Sequence, residues 1–316
     1  MAGAFLATVL FSISAICGNR ASKLLGGTEA NFWRLLFAAA LLAIYAHLFG
    51  GGLGGSAFRI LFISGCIGFG IGDLSLFQAL PRIGSRLSVM LVLCLSSPIG
   101  AALEWWWMKT ALTPAQIASA LVILLGVAVA LAPARRNATA GSVDSSGNAG
   151  GEKIVTGTIF GVIAAICQAL GAVLSRQAFA LERNIDGITA AYQRILGGVL
   201  VTAIFLVVIK GNWSTNAKEG STNGQPGRSG GRLRRALPLV FLNGLSGPAL
   251  GVSCYQWALK TSPTGIVLPI VALTPVVIIP LSLIFEHERP SRRSFAGAII
   301  AVFGAAALAM VRSAGK

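Results

Sequence analysis

Apolar residues run along this chain in long unbroken blocks, separated by short polar or basic stretches. A helix of about 20 apolar residues spans the hydrocarbon core of a bilayer. Ten such blocks are readable, over approximately 3–24, 31–48, 58–80, 84–107, 114–132, 154–178, 187–209, 236–259, 263–285 and 294–311. Their apolar positions are continuous rather than alternating, which predicts helices and not the strands of a barrel. The expected fold is all-α and integral to the membrane, with ten transmembrane helices.

Two stretches break the pattern. Residues 134–153 are small and polar and predict a flexible linker; residues 210–235 predict a disordered basic loop. The linker leaves five blocks in residues 1–133 and five in 154–312, and the two sets match in order. FISGCIGFGIG (62–72) lies over FLNGLSGPALG (241–251), which sets Val252 where the first half has Asp73. The second helices pair Arg34 with Arg194. The first helices share glycine, serine and a base, Gly18, Ser22 and Lys23 against Gly171, Ser175 and Arg176. The fourth helices carry Pro98 and Pro275, and the fifth carry Gly126 and Gly304. Five is odd, so the second half enters the membrane from the opposite side. The halves are expected to be inverted five-helix repeats, an arrangement of secondary transporters, whose sites lie near the midplane between repeats.

Composition supports the membrane reading. The 316 residues are 55% hydrophobic and 11% charged, with a mean hydropathy of +0.78. A soluble domain is typically about 25% charged. A net charge of +15 would suggest nucleic acid in a soluble protein, but here the bases cluster in loops between apolar blocks. Topology accounts for them, and no nucleic-acid partner is expected. The five cysteines lie inside apolar blocks with no metal-ligand spacing, and read as small packing residues. His47 and His287 sit near helix ends, and no HExxH, GxSxG or phosphate-binding loop is present. Neither an enzyme, a cofactor nor a metal is expected. A channel would need a ring-like selectivity element, and none is readable.

The charge distribution also suggests an orientation. The loop after the second helix carries Arg59, and its counterpart carries Lys210, Lys218, Arg228, Arg232, Arg234 and Arg235. The linker adds Arg135 and Arg136. The positive-inside rule puts the linker and the 210–235 loop in the cytoplasm and both termini outside.

The ordered set of features resembles the drug/metabolite transporter superfamily, in particular the paired EamA-domain permeases. It comprises two five-helix units, a second-helix arginine, a glycine-rich third helix ending in Ala-Leu, and a proline-bearing fourth helix. The resemblance covers nearly the whole chain except the two loops. It implies export or exchange of a small metabolite, such as an amino acid or derivative, or efflux of drugs and toxic compounds. A permease in the cell (inner) membrane is the expectation, with solute and lipid as partners. Protons as coupling ion and a homodimer are left open. Members often carry a Gly-Glu pair after the fourth helix; the second half has Glu286 and Glu288, whereas the first has only Glu104, a turn or so earlier.

Candidate site residues follow from polar groups inside apolar blocks. Asp73 is an intramembrane acid, which is costly and needs a partner or a watery cavity. It reads either as a substrate or proton site or as the structural partner of Arg34. Arg34 and Arg194 read either as carboxylate ligands or gates, or as snorkelling side chains. Glu104 precedes the aromatic run Trp105–Trp107 and reads as interfacial or cavity-lining. Pro98 and Pro275 free the carbonyls of Cys94 and Val271, either toward a cavity or in a simple kink. Gln168, Asn243, Tyr255 and Gln256 read as pocket-lining groups or as polar glue between helices.

Overall fold

The computed structural model describes residues 2–109, 112–131, 147–216, 228–286 and 292–314, which are helical apart from short connections. The first half comprises α1 (Ala2–Leu25), α2 (Gly27–Leu48), α3 (Phe58–Gly65), a π-helical segment π1 (Cys66–Gly72), α4 (Asp73–Met108) and α5 (Pro114–Leu131). The second comprises α6 (Gly147–Leu181), α7 (Gly187–Asn216), α8 (Arg228–Gly244), π2 (Leu245–Gly251), α9 (Val252–Thr261), α10 (Thr264–Val271), α11 (Thr274–Glu286) and α12 (Arg292–Ala314). Among the described residues eight stretches are long and apolar enough to cross a membrane, Pro114–Gly126 is a shorter apolar helix, and α12 packs beside α5. The expected all-helical membrane fold of about ten spans is what the chain adopts.

Packing gives the direction of each span. Ser64 and Gly72 lie against Gly171 and Cys167 of α6, and Ile83 lies against Gly157. Leu91 then lies against Gly161, and Gly100 near Ala169. The chain thus runs down α6 and returns along it, although α4 is helical throughout. Two faces result. The terminal face holds the start of α1, the 49–57 connection and the α9–α10 junction. The linker face holds the α1–α2 junction, Ile83 and the start of α6. The first half starts at the terminal face and the second at the linker face, so the repeats are inverted.

The repeats also pack reciprocally, through glycine. A Cβ on Gly65 would collide with the backbone carbonyl of Arg194, and one on the equivalent Gly244 would reach the carbonyl oxygen of Arg34 at 2.8 Å. Each half therefore seats its third span on the arginine-bearing helix of the other, and only glycine allows that approach. The π-helical turns fall at equivalent positions, immediately before Asp73 and Val252.

Several boundaries differ from those the pattern predicts. The start of α2 is at Gly27 rather than 31, which sets Arg34 deeper in the protein. Helix α6 begins at Gly147, so the end of the expected linker is helical. Residues 210–216 and 228–235 of the expected disordered loop are helical too, as ends of α7 and α8. Apolar helices extended into polar sequence because continuing a formed helix is cheaper than starting one. The rest of the linker and loop lies outside the described residues, as do His287 and Glu288.

Candidate functional site

A cavity of about 110 Å³ lies between the halves near mid-membrane. It is lined by Ser14 and Gly18 of α1, Arg34 of α2, Phe69 of π1, Asp73, Phe77 and Leu80 of α4, Gln168 of α6, Arg194 of α7, Asn243 of α8, Val252 and Tyr255 of α9, and Thr274 of α11, among others. Arg34, Asp73, Arg194, Gln168, Asn243 and Tyr255 are thus brought together around one space. Leu80, three residues from Ile83, carries the lining toward the linker face.

Arg34 and Asp73 form a buried ion pair through Nη2 and Oδ2. The Arg34 Nε also donates to Asn31 Oδ1 at 2.8 Å, and its guanidinium lies over the Phe77 ring at 4.6 Å. Arg34 does not snorkel: it is 6% exposed and turned into the bundle, onto Asp73, Asn31 and Phe77. Its position on α2 and that of Asp73, about two helical turns from Leu80, put both toward the linker face. The expectation of Arg34 as partner to Asp73 matches this geometry.

Arg194 is treated differently. It is 2% exposed and lies over the Phe69 ring at 4.9 Å, yet its Nε and Nη1 have no hydrogen-bond partner. Among the described residues no carboxylate forms an ion pair with it. The Tyr255 hydroxyl and the Asn243 Nδ2 are likewise buried without a partner, while Asn243 Oδ1 accepts from Ser14 Oγ at 2.7 Å.

The other candidates lie elsewhere. Glu104 is neither at a lipid interface nor in the cavity. It is 2% exposed, accepts the Thr264 backbone N–H at 2.6 Å and the Thr264 hydroxyl, and pairs with Arg176 Nε at 3.2 Å. It caps the start of α10, a role the neighbouring tryptophans masked; those remain exposed, as a belt requires. Pro98 lines a separate groove between α4 and α5. Pro275 follows the break between α10 and α11, but the carbonyl it frees at Val271 accepts from Thr274 Oγ1 at 2.6 Å. Hydroxyls of α1 serve the same break, Thr8 donating to Ile270 O and Ser12 to Thr274 O, each at 3.1 Å. The expected open carbonyl is therefore filled at Val271. Gln256 is fully buried beside, not in, the cavity wall, and neither end of its amide has a partner.

Sequence reasoning did not single out Ser14, Thr274 or Arg176 as site residues. A hydroxyl one residue before a helix-breaking proline is the signal that finds Thr274. The base at Arg176 lies in the one first-helix pattern shared by both halves, but nothing local ties it to Glu104.

Polar ties between the halves gather at the terminal face. Besides Glu104 with Arg176 and Thr264, Ala57 N donates to Glu182 at 2.9 Å and Gln193 Nε2 donates to Gly52 O at 3.0 Å. His47 Nε2 and Tyr192 Oη are 3.1 Å apart. These ties bridge the two halves on that side of the cavity.

The family profile of EamA-like transporters matches residues 1–132 and again 155–310. The chain belongs to the EamA-like transporter family. The two EamA matches coincide with the two inverted halves, and a multi-pass membrane transporter of the drug/metabolite superfamily is thereby established. No curated protein matches the chain. A crystal structure described only as that of a protein superposes with a TM-score of 0.67, covering 98% of this chain and 97% of the other at 17% identity. At that identity the likeness concerns the fold alone.

Proposed function

We propose that this chain is a secondary transporter that exports or exchanges a small organic metabolite, of the amino-acid or amino-acid-derivative class, by alternating access between its inverted halves. The observation that carries the reading is the cavity between the inverted halves, with cross-half bonds on its terminal side and a lining that reaches toward the linker face. Substrate sites of inverted-repeat carriers occupy such a position. A volume of about 110 Å³ is on the order of a cavity that takes a benzene-sized guest, which favours a metabolite over a drug-sized compound.

The basic linker and loop argue that the linker face is cytoplasmic, in a cell (inner) membrane, with the termini outside. On that orientation the described conformation is the inward-facing one. Asp73 is the candidate proton site if transport is coupled. The test is flux or counterflow in proteoliposomes across a panel of amino acids and their acylated derivatives. No flux for any member would sink the reading, and protease nicking of the 210–235 loop from outside intact cells would invert the orientation.

A further inference from the structure

We infer that Arg194 is the anion-binding residue of this cavity and that the solute carries one carboxylate and a net charge of −1. This rests on the transporter reading and specifies its substrate class.

Among the described residues three charged side chains line the cavity, Arg34, Asp73 and Arg194. The first two neutralise each other, so the wall carries one uncompensated positive charge, on Arg194. The repeat makes the asymmetry plain. Arg34 is served by Asn31, Asp73 and Phe77, and the equivalent positions around Arg194 hold Ala191, Val252 and Gln256. The second half thus lacks the acceptor and the counter-ion, and the ring over Arg194, Phe69, comes from the first half. A buried ion without a partner is costly, and the cost is recovered when a counter-ion arrives.

The remaining unpartnered groups point the same way. Among buried lining atoms without a partner, Arg194 Nε and Nη1 and Asn243 Nδ2 can only donate, and the Tyr255 hydroxyl can donate. The wall therefore offers donors and asks for an acceptor. A planar guanidinium matches a carboxylate by shape as well as charge. A dianion such as a phosphate ester would leave the occupied cavity negative. An amine would raise the occupied cavity to +2 and a zwitterion would leave it at +1, since Asp73 is already engaged by Arg34. Phe11, Phe69, Val92 and Leu93 form the rest of the wall and suit an apolar tail. The class is a small monocarboxylic acid whose amine is absent or blocked.

The test uses the full chain in detergent, with thermal shift read for benzoate, its neutral isostere benzamide, and benzylamine. Benzoate raises the melting temperature at concentrations where the other two do not. Arg194→Gln weakens benzoate at least about thirtyfold, the low end for truncating a buried charge pair. Unliganded Arg194→Gln melts at or above the wild type, because an unpaired buried charge is gone; an arginine with only a structural role gives the opposite. The inference is overturned by equal shifts from benzoate and benzamide, by no benzoate shift in the wild type, by an unchanged benzoate shift in the variant, or by a lower melting temperature of the unliganded variant. Benzoate binding without flux in liposomes sinks the transporter reading and leaves this one standing. Flux of an amine that is indifferent to Arg194→Gln does the reverse.

Discussion

Glu104 offers the sharpest test of how the terminal face is held. Its carboxylate does two things: it pairs with Arg176 and it caps the α10 N-terminus through Thr264. Glu104→Gln keeps an oxygen for the Thr264 N–H and loses only charge. Arg176 is 19% exposed at the side chain and keeps the Leu259 carbonyl at 2.8 Å, so the lost pair is worth about 1 kcal/mol after solvent screening. Loss of a negative charge at a helix N-terminus adds about 0.3–1 kcal/mol, for a total of about 1–2 kcal/mol. Glu104→Ala also orphans the Thr264 N–H at a site closed to water, while the Thr264 hydroxyl keeps the Gly100 carbonyl at 3.3 Å. An unsatisfied donor costs about 1–3 kcal/mol, which brings the total to about 2–5 kcal/mol. The cap therefore outweighs the ion pair. The assay is thermal unfolding followed by the fluorescence of Trp105–Trp107, adjacent to the mutated residue. At about 2 °C per kcal/mol for a chain of this length, the glutamine variant loses about 2–4 °C and the alanine variant about 4–10 °C. Equal losses in the two variants would refute the capping role.

Asp73→Asn leaves Arg34 buried without its counter-ion and costs about 3–5 kcal/mol, and the double variant with Arg34→Gln recovers part of it; strictly additive melting shifts would contradict the pair. Gly65→Ala drives a methyl into the Arg194 backbone and destabilises by about 1–3 kcal/mol or more, whereas Gly51→Ala, whose methyl meets only Thr189 at 3.8 Å, is neutral in the same melt. Thr274→Val strips the hydroxyl from the Val271 carbonyl and lowers stability by about 1 kcal/mol, with Thr274→Ser retaining the wild-type melting temperature.

Spans were legible because each apolar block carries its own length signal, and inversion followed from an odd count of blocks. The pairing of Arg34 with Asp73 was legible as well, since two opposite charges at matching depth in neighbouring helices have few alternatives. Glu104 was misread because its sequence neighbours, three tryptophans, describe lipid contact, while its partners lie in α6 and α10, far along the chain. The π-helical turns were invisible: a glycine-rich run reads the same whether its carbonyls bond four or five residues ahead. Arg194 was named beside Arg34 as though the two were alike. Their difference lies in what surrounds them, and only packing assembles those surroundings.

The single acid at Asp73 has a consequence for how such a bundle can be built. Two identical five-helix chains, set antiparallel, would present every residue twice. Their shared cavity would hold two arginines with two acids or with none, and its net charge could only be even. Joining the units in one polypeptide lifts that parity restriction, because each copy can then diverge alone. An odd charge at the centre of a two-fold scaffold requires two units that differ, and joining them in one chain keeps the differing pair together.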